Sequence, residues 1–205
     1  MKIAPLVAGL ALLSAPLLSS CTSTDPKQDV PAGPPSVEEM MAMWAEMAAT
    51  TEHHRHLDPM VGTFRAETTF WMEPGGEPMQ SGGTMVNEWI HGGRFLQSRY
   101  AGDMMGQPFE GLSLMGYDKM KQRYVATWCD SMSTFFAPFA EGTCSAGGSV
   151  ITMERDIPNP MTGEMEHERD VITLHDRDHH TFEMFMTAPG RPECKSMVIE
   201  YTRTW

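Results

Sequence analysis

From Thr63 onward the chain repeats with a period of two residues, and that repeat limits the fold more than any other feature of the sequence. Phe64, Ala66, Thr68 and Phe70 alternate with Arg65, Glu67, Thr69 and Trp71, and the run stops at Glu73-Pro74-Gly75-Gly76-Glu77-Pro78. Strand side chains point alternately to two faces, so such a run, bounded by turn formers, reads as a strand with one buried face. Similar runs follow at 83–90, 94–101, 109–116, 123–130, 132–140, 143–155, 165–175, 180–188 and 195–204. Between them stand His91-Gly92-Gly93, Gly102 to Pro108, Tyr117-Asp118, Glu141-Gly142, Pro158 to Gly163, Asp176-Arg177-Asp178 and Pro189-Gly190. No helical pattern interrupts the series. The spacing predicts a mainly β fold: a single antiparallel meander of roughly ten strands, closing as a barrel over residues 59–205.

The front of the chain is different in kind. Lys2 is followed by an apolar run from Ile3 to Leu18 that closes with Leu18-Ser19-Ser20-Cys21. This is shorter than the roughly 20 residues that span a bilayer and ends in small residues before a cysteine, as a lipoprotein signal peptide does. Residues 1–20 are expected to be removed and the Cys21 thiol lipidated; a plain transmembrane anchor is the competing reading. Thr22 and Ser23 follow, with no aspartate at the second position, so in a Gram-negative cell export to the outer membrane, facing the periplasm, is expected. Residues 21–35, with Pro26, Pro31, Pro34 and Pro35, lack the apolar content to fold and read as a flexible tether. Ser36-Val37-Glu38-Glu39 is a capping box, and Met40, Met41, Met43, Trp44 and Met47 fit one helical face, so an amphipathic helix is predicted over 36–58.

Charge and cysteines exclude whole classes of partner. Asp and Glu number 27 against 15 Lys and Arg, with no basic cluster, which disfavours a nucleic-acid groove or an anionic lipid surface. Cys129, Cys144 and Cys194 remain after Cys21; in an oxidising compartment one disulfide and one leftover thiol is the simplest arithmetic, with three pairings open. No Cys-x-x-Cys or nearby histidine makes a zinc pattern. The aromatic end, Trp205, is a feature of outer-membrane barrels. Arg203 on the same face as Tyr201 and Trp205, and charge on both faces of 164–170, favour a barrel that does not face lipid.

Residues spread along the chain carry a family likeness. His54-x-x-Leu57-x-x-Met60-Val61-Gly62-Thr63-Phe64, then Trp71, Gly92-Gly93-Arg94-Phe95-Leu96, Phe109-Glu110-Gly111, Gly116-Tyr117-Asp118, Trp128-x-Asp130-Ser131 and Arg169-x-Val171 together resemble the bacterial family catalogued as domain of unknown function 1579, over about residues 50–205. The resemblance implies a calycin-type, lipocalin-like barrel and no established activity. Phe64 stands where the family usually has Trp, which implies looser packing at the barrel floor.

A barrel of about ten strands can enclose a small ligand. The cavity candidates are Trp71, Trp89, Tyr100, Tyr117, Trp128 and Phe136, with Arg94 and Arg99 as cations; such a mixture suits an amphipathic ligand such as a fatty acid. The plainer alternative is that these aromatics are core and Arg94 bridges strand ends through Asp118 or Asp130. His53, His54, His56 and the methionines, 20 in all, raise Cu(I) binding, with Met40, Met43 and Met47 on one side of the helix. Methionines scattered through every strand argue instead for packing, with His54 structural in the family motif and His53 and His56 facing solvent. No metal or other cofactor is predicted.

Enzyme patterns are incomplete. His91-Gly92-Gly93 resembles an oxyanion-hole turn without a Gly-x-Ser-x-Gly elbow, and His167-Glu168 lacks the second histidine of a zinc protease. Cys129 sits on a predicted buried strand, and His179-His180 reads as a solvated loop end. The leading expectation is a non-enzymatic, membrane-anchored binding module for a small apolar or amphipathic molecule. An envelope assembly protein without such a ligand comes second, and a copper protein or hydrolase third.

Overall fold

The computed structural model describes residues 33–205, so the expected signal peptide, the expected lipidation at Cys21 and most of the expected tether lie outside the described residues. Ten antiparallel strands close into one barrel: β1 (Gly62–Phe70), β2 (Met79–Ile90), β3 (Phe95–Met104), β4 (Gln107–Asp118), β5 (Arg123–Asp130), β6 (Ala140–Cys144), β7 (Val150–Pro158), β8 (Met165–Leu174), β9 (His179–Thr187) and β10 (Cys194–Arg203). Each pairs with the next in sequence, and β1 pairs with β10, Phe64 opposite Arg203 and Phe70 opposite Met197. The predicted architecture is the observed one, because alternation fixes which face turns inward. Phe64, Ala66, Thr68 and Phe70 are the buried positions of β1.

The outer face carries charge on every strand, among them Arg65, Glu88, Arg99, Glu110, Arg123, Glu141, Glu154, Arg169, Glu183 and Lys195. A hydrocarbon-facing band does not tolerate that pattern. The face assigned to Arg203 needs correction, however. Tyr201 and Arg203 point inward, since they pair with Ala66 and Phe64.

Two boundaries also differ from expectation. Residues 131–139 are a loop: Met132 N–H donates to Asp130 Oδ1 (3.0 Å), turning the chain out of β5, and Ala137 N–H then donates to Trp128 O (2.9 Å). The predicted run 143–155 is broken by a turn at 145–149, where Gly148 N–H donates to Ser145 O (2.9 Å). Gly142, read as a turn former, lies inside β6; a Cβ there would run into the Thr152 carbonyl on β7, so glycine is needed for close approach.

The helix is shorter than 36–58. α1 (Val37–Ala48) carries the predicted capping box, Ser36 Oγ accepting from Glu39 N–H (3.2 Å) and Glu39 accepting from Ser36 N–H (2.7 Å). It stops before Thr50-Thr51, and a second short helix, α2 (Glu52–Arg55), is followed by a single 3-10 turn at Asp58–Met60. None of the α1 side chains is buried. Its C-terminal carbonyls are held at one end of the barrel, Ala48 O by Arg94 Nε (2.6 Å) and Glu46 O by Lys119 Nζ (2.5 Å). Among the described residues no helix is long and apolar enough to cross a membrane.

Candidate functional site in the barrel mouth

The two ends of the barrel are built differently. One end, where α2 and the 3-10 turn sit, is plugged: Leu57 and Met60 join Leu96, Met115, Tyr124, Ile151 and Ile172 in a packed cluster. Arg203 locks this floor, donating to Val61 O (2.7 Å), Pro59 O (2.8 Å) and Arg177 O (2.7 Å) with its guanidinium over the Phe64 ring, 4.5 Å from the centroid. Phe64 is fully buried under that cation.

Toward the other end the lumen opens. Trp128, Phe182, Met184, Met186, Met197 and Ile199 face inward yet are only half-buried, so solvent reaches them from the mouth. The Tyr100 ring lies flat over Gly83 and Gly102, and the Trp128 ring over Gly111; a Cβ at any of these glycines would strike the ring. Exposed Met72, Met105, Met132, Phe135, Phe136 and Met161 stand on the loops around this mouth.

Within the apolar wall sits one buried charged group of three. Arg155 on β7 faces Glu168 and Asp170 on β8, with side chains 8, 3 and 6% exposed. Arg155 Nη2 pairs with Glu168 Oε1, lies 4.0 Å from Asp170 Oδ2, and Nη1 donates to Pro138 O (3.3 Å). Two atoms have no partner: the Arg155 Nε–H donor and the Asp170 Oδ1 acceptor. Burial, with the Glu168 charge beside it, holds the Asp170 carboxyl well above the usual carboxylate range. A buried polar atom left unpaired costs about 1–3 kcal/mol, and here a donor and an acceptor on adjacent side chains are both left in this state.

The residues singled out from sequence divide between the two ends and the outside. Tyr100 and Trp128 line the open half, Trp128 Nε1 donating to Asp130 Oδ2 (2.9 Å). Trp71 follows β1 at the mouth, where its N–H donates to Ser196 O (2.9 Å). Trp89 and Tyr117 face inward at the plugged end, Trp89 bonded to Asp58 Oδ1 (3.0 Å). Arg94, Arg99 and Phe136 do not reach the lumen. Arg94 ties α1 to the turn through Ala48 O and His91 O and bridges no carboxylate. Arg99 points outward to Glu88 (2.8 Å), on an external groove of about 650 Å³, and Phe136 lies on the exposed 131–139 loop.

Three histidine readings change. His53 stacks on Tyr117 at 4.2 Å and His56 Nδ1 is hydrogen-bonded to the Tyr124 hydroxyl (2.7 Å), so neither simply faces solvent. His54 caps α2, its Nδ1 accepting from Thr51 N–H (3.0 Å). With Glu52, Tyr124 and Cys144, His53 and His56 line a second groove of about 350 Å³ at the plugged end. Among the described residues no group of His, Cys, Asp and Glu has metal-binding geometry. His180, expected on a solvated loop end, is buried, because β9 begins at His179 and turns the next side chain inward. Cys129, Cys144 and Cys194 are all free thiols, against the expected disulfide.

Sequence reasoning misses the Arg155 group because charge on both faces of 164–170 argues equally for a face kept from lipid. A signal did exist. Folding 150–158 back on 165–174 about the Asn159–Glu164 turn places Arg155 opposite Glu168, and alternation then carries Asp170 inward.

Fold and lumen together define a calycin-like β-barrel with a polar cluster inside an apolar mouth. The chain belongs to the family described as "Protein of unknown function (DUF1579)", whose model matches residues 49–203. Among solved structures it is similar to Rv2717c from M. tuberculosis, with 16% identity over 77% of this chain and 100% of that one, TM-score 0.55. It is also similar to the S-type phycobiliprotein lyase CPES from Guillardia theta, with 9% identity over 83% of this chain and 99% of that one, TM-score 0.55. At these identities the likeness is one of fold. No curated protein matches the chain.

Proposed function

We propose that this protein is a binding module of the bacterial cell envelope, exported and lipid-anchored through Cys21, that holds a small apolar or amphipathic molecule in the mouth half of its barrel. One observation carries the reading: inward-facing apolar side chains that solvent still reaches surround a buried Arg–Glu–Asp group with unpaired polar atoms. Pockets of this composition, apolar walls with a few placed polar groups, are those that orient small ligands. The likeness to a phycobiliprotein lyase supports ligand handling at the level of fold alone. The reading assigns no catalytic residue. The absence of an aspartate at the second position after Cys21 supports outer-membrane sorting, with the domain in the periplasm. Native mass spectrometry of the protein purified from its host envelope tests the proposal: a stoichiometric adduct of lipid or metabolite mass is expected, and its repeated absence overturns the carrier role.

A second reading, an envelope docking protein, is favoured by one feature, the exposed methionines and phenylalanines on the mouth loops and along α1. Crosslinking in intact envelopes followed by capture of this chain distinguishes the two, since docking requires a stable protein partner and ligand carriage does not.

A further inference from the structure

The two unpaired atoms in the mouth restrict what the head of such a ligand can be. This step rests on the binding function proposed above and goes on to name the ligand's chemistry. A fatty acid, the first expectation from an arginine-bearing lumen, is disfavoured by what the arginine already does. Both Nη groups of Arg155 are engaged, by Glu168 and by Pro138 O, and the remaining neighbours are carboxyls. Asp130 and Glu166 also lie on the inward face near the mouth, Glu166 held by Asn159 Nδ2 (2.8 Å) and Asp130 by the Trp128 indole. An anionic head would enter a site with more acidic than basic groups and would meet one free N–H.

A cationic head fares no better as a complete match. An ammonium offers donors for Asp170 Oδ1 but has no acceptor for Arg155 Nε–H. Arg155 and Glu168 already neutralise each other, and burial beside Glu168 favours the neutral Asp170 carboxyl, whose proton on Oδ2 is shared with Glu168 so that Oδ1 remains an acceptor. The group as built is short of one acceptor and one donor on adjacent side chains, and of no net charge. An uncharged amide carries both on one planar group: its carbonyl oxygen accepts from Nε–H while its N–H donates to Oδ1. The Met184 and Met186 side chains, on the residues paired with Asp170 and Glu168, supply an adaptable apolar wall for the chain behind that head.

We propose that the barrel mouth is a site for an uncharged, apolar-tailed molecule whose head both donates and accepts hydrogen bonds, of the amide class, seated between Arg155 Nε and Asp170 Oδ1.

The test uses four water-soluble ligands of one chain length: hexanamide, hexanoate, hexylamine and methyl hexanoate. They are titrated into the full chain held in nanodiscs, with empty nanodiscs as blank, and methionine methyl resonances at 184, 186 and 197 are followed by NMR. Hexanamide is expected to shift these methyls with an affinity roughly tenfold above each of the other three, since each leaves one buried atom unpaired. In the Asp170→Leu variant that preference is expected to fall to the level of methyl hexanoate. Hexanoate or hexylamine binding as tightly as hexanamide overturns the amide assignment while leaving a ligand-binding barrel in place, and so does equal binding by all four. If no ligand moves these methyls, the binding function fails and the amide assignment fails with it.

Discussion

His180 shows what one misplaced residue changes in the chemistry of the whole. Its ring stacks on Tyr201 at 4.4 Å and meets the edge of Phe64 at 4.6 Å, and burial, with the Arg203 charge adding, pulls its pKa down to about 4. The unfolded chain binds this proton at about pH 6.5 and the folded one only near pH 4, so across that window the unfolded state holds more protons. Stability contributed by the neutral ring is therefore complete above about pH 6.5 and lost as pH falls toward 4, by about 3 kcal/mol. Urea melts from pH 7 to 4 should show this slope, and a His180→Phe variant should flatten it. Gly142 makes a complementary case: Gly142→Ala should cost about 1–3 kcal/mol in the same assay, because the β7 backbone blocks the added methyl. Both residues were misread from sequence for one reason. Local turn chemistry marks Glu141-Gly142 as punctuation and makes His179-His180, just past the Asp176-Arg177-Asp178 turn, read as a loop end, and only the register of neighbouring strands shows that both pairs sit inside strands.

At the scale of elements, local pattern and tertiary role come apart most clearly in α1. The capping box and amphipathic spacing made the helix legible, yet none of its side chains is buried, and Trp44 is 58% exposed. Trp44→Ala is therefore expected to change stability by less than about 0.5 kcal/mol. Leu57→Ala, in the plug, should cost about 2–5 kcal/mol, with chemical denaturation reading both. The strands were legible from alternation, since a half-buried surface demands it. Loop 131–139 was not, because its aromatic residues imitate a strand while Asp130 and Ser133 turn the backbone out of the ladder. Cysteine counting also failed here: it assumes that thiols in an oxidising compartment meet, whereas Cys129 points outward and Cys144 and Cys194 lie on strands that are not neighbours. Alkylation in denaturant without reductant, read by mass spectrometry, should label all three.

At the scale of the molecule, the barrel is a ring sealed between its first strand and its last. Arg203 stands on that seam, its guanidinium satisfying three carbonyls from two otherwise separate segments. Arg203→Leu should cost on the order of 3 kcal/mol in urea denaturation, and hydrogen exchange should rise first along β1 and β10, since three carbonyls lose their donor together. Ring closure was readable from the series of short alternating runs between turns, although 132–140 is mostly loop and 143–155 is split between β6 and β7. The charged group was hidden because pairing Arg155 with Glu168 depends on a hairpin register that periodicity alone does not give. The seam also has a consequence for biogenesis. A polypeptide threaded out N-terminal end first displays one naked border of β1 until residues 194–203 have emerged, and naked strand borders recruit other chains. Closure of the ring must therefore outpace self-association or be escorted, and a chain stopped short of its final strand should accumulate as aggregate rather than as a nine-stranded version of the same fold.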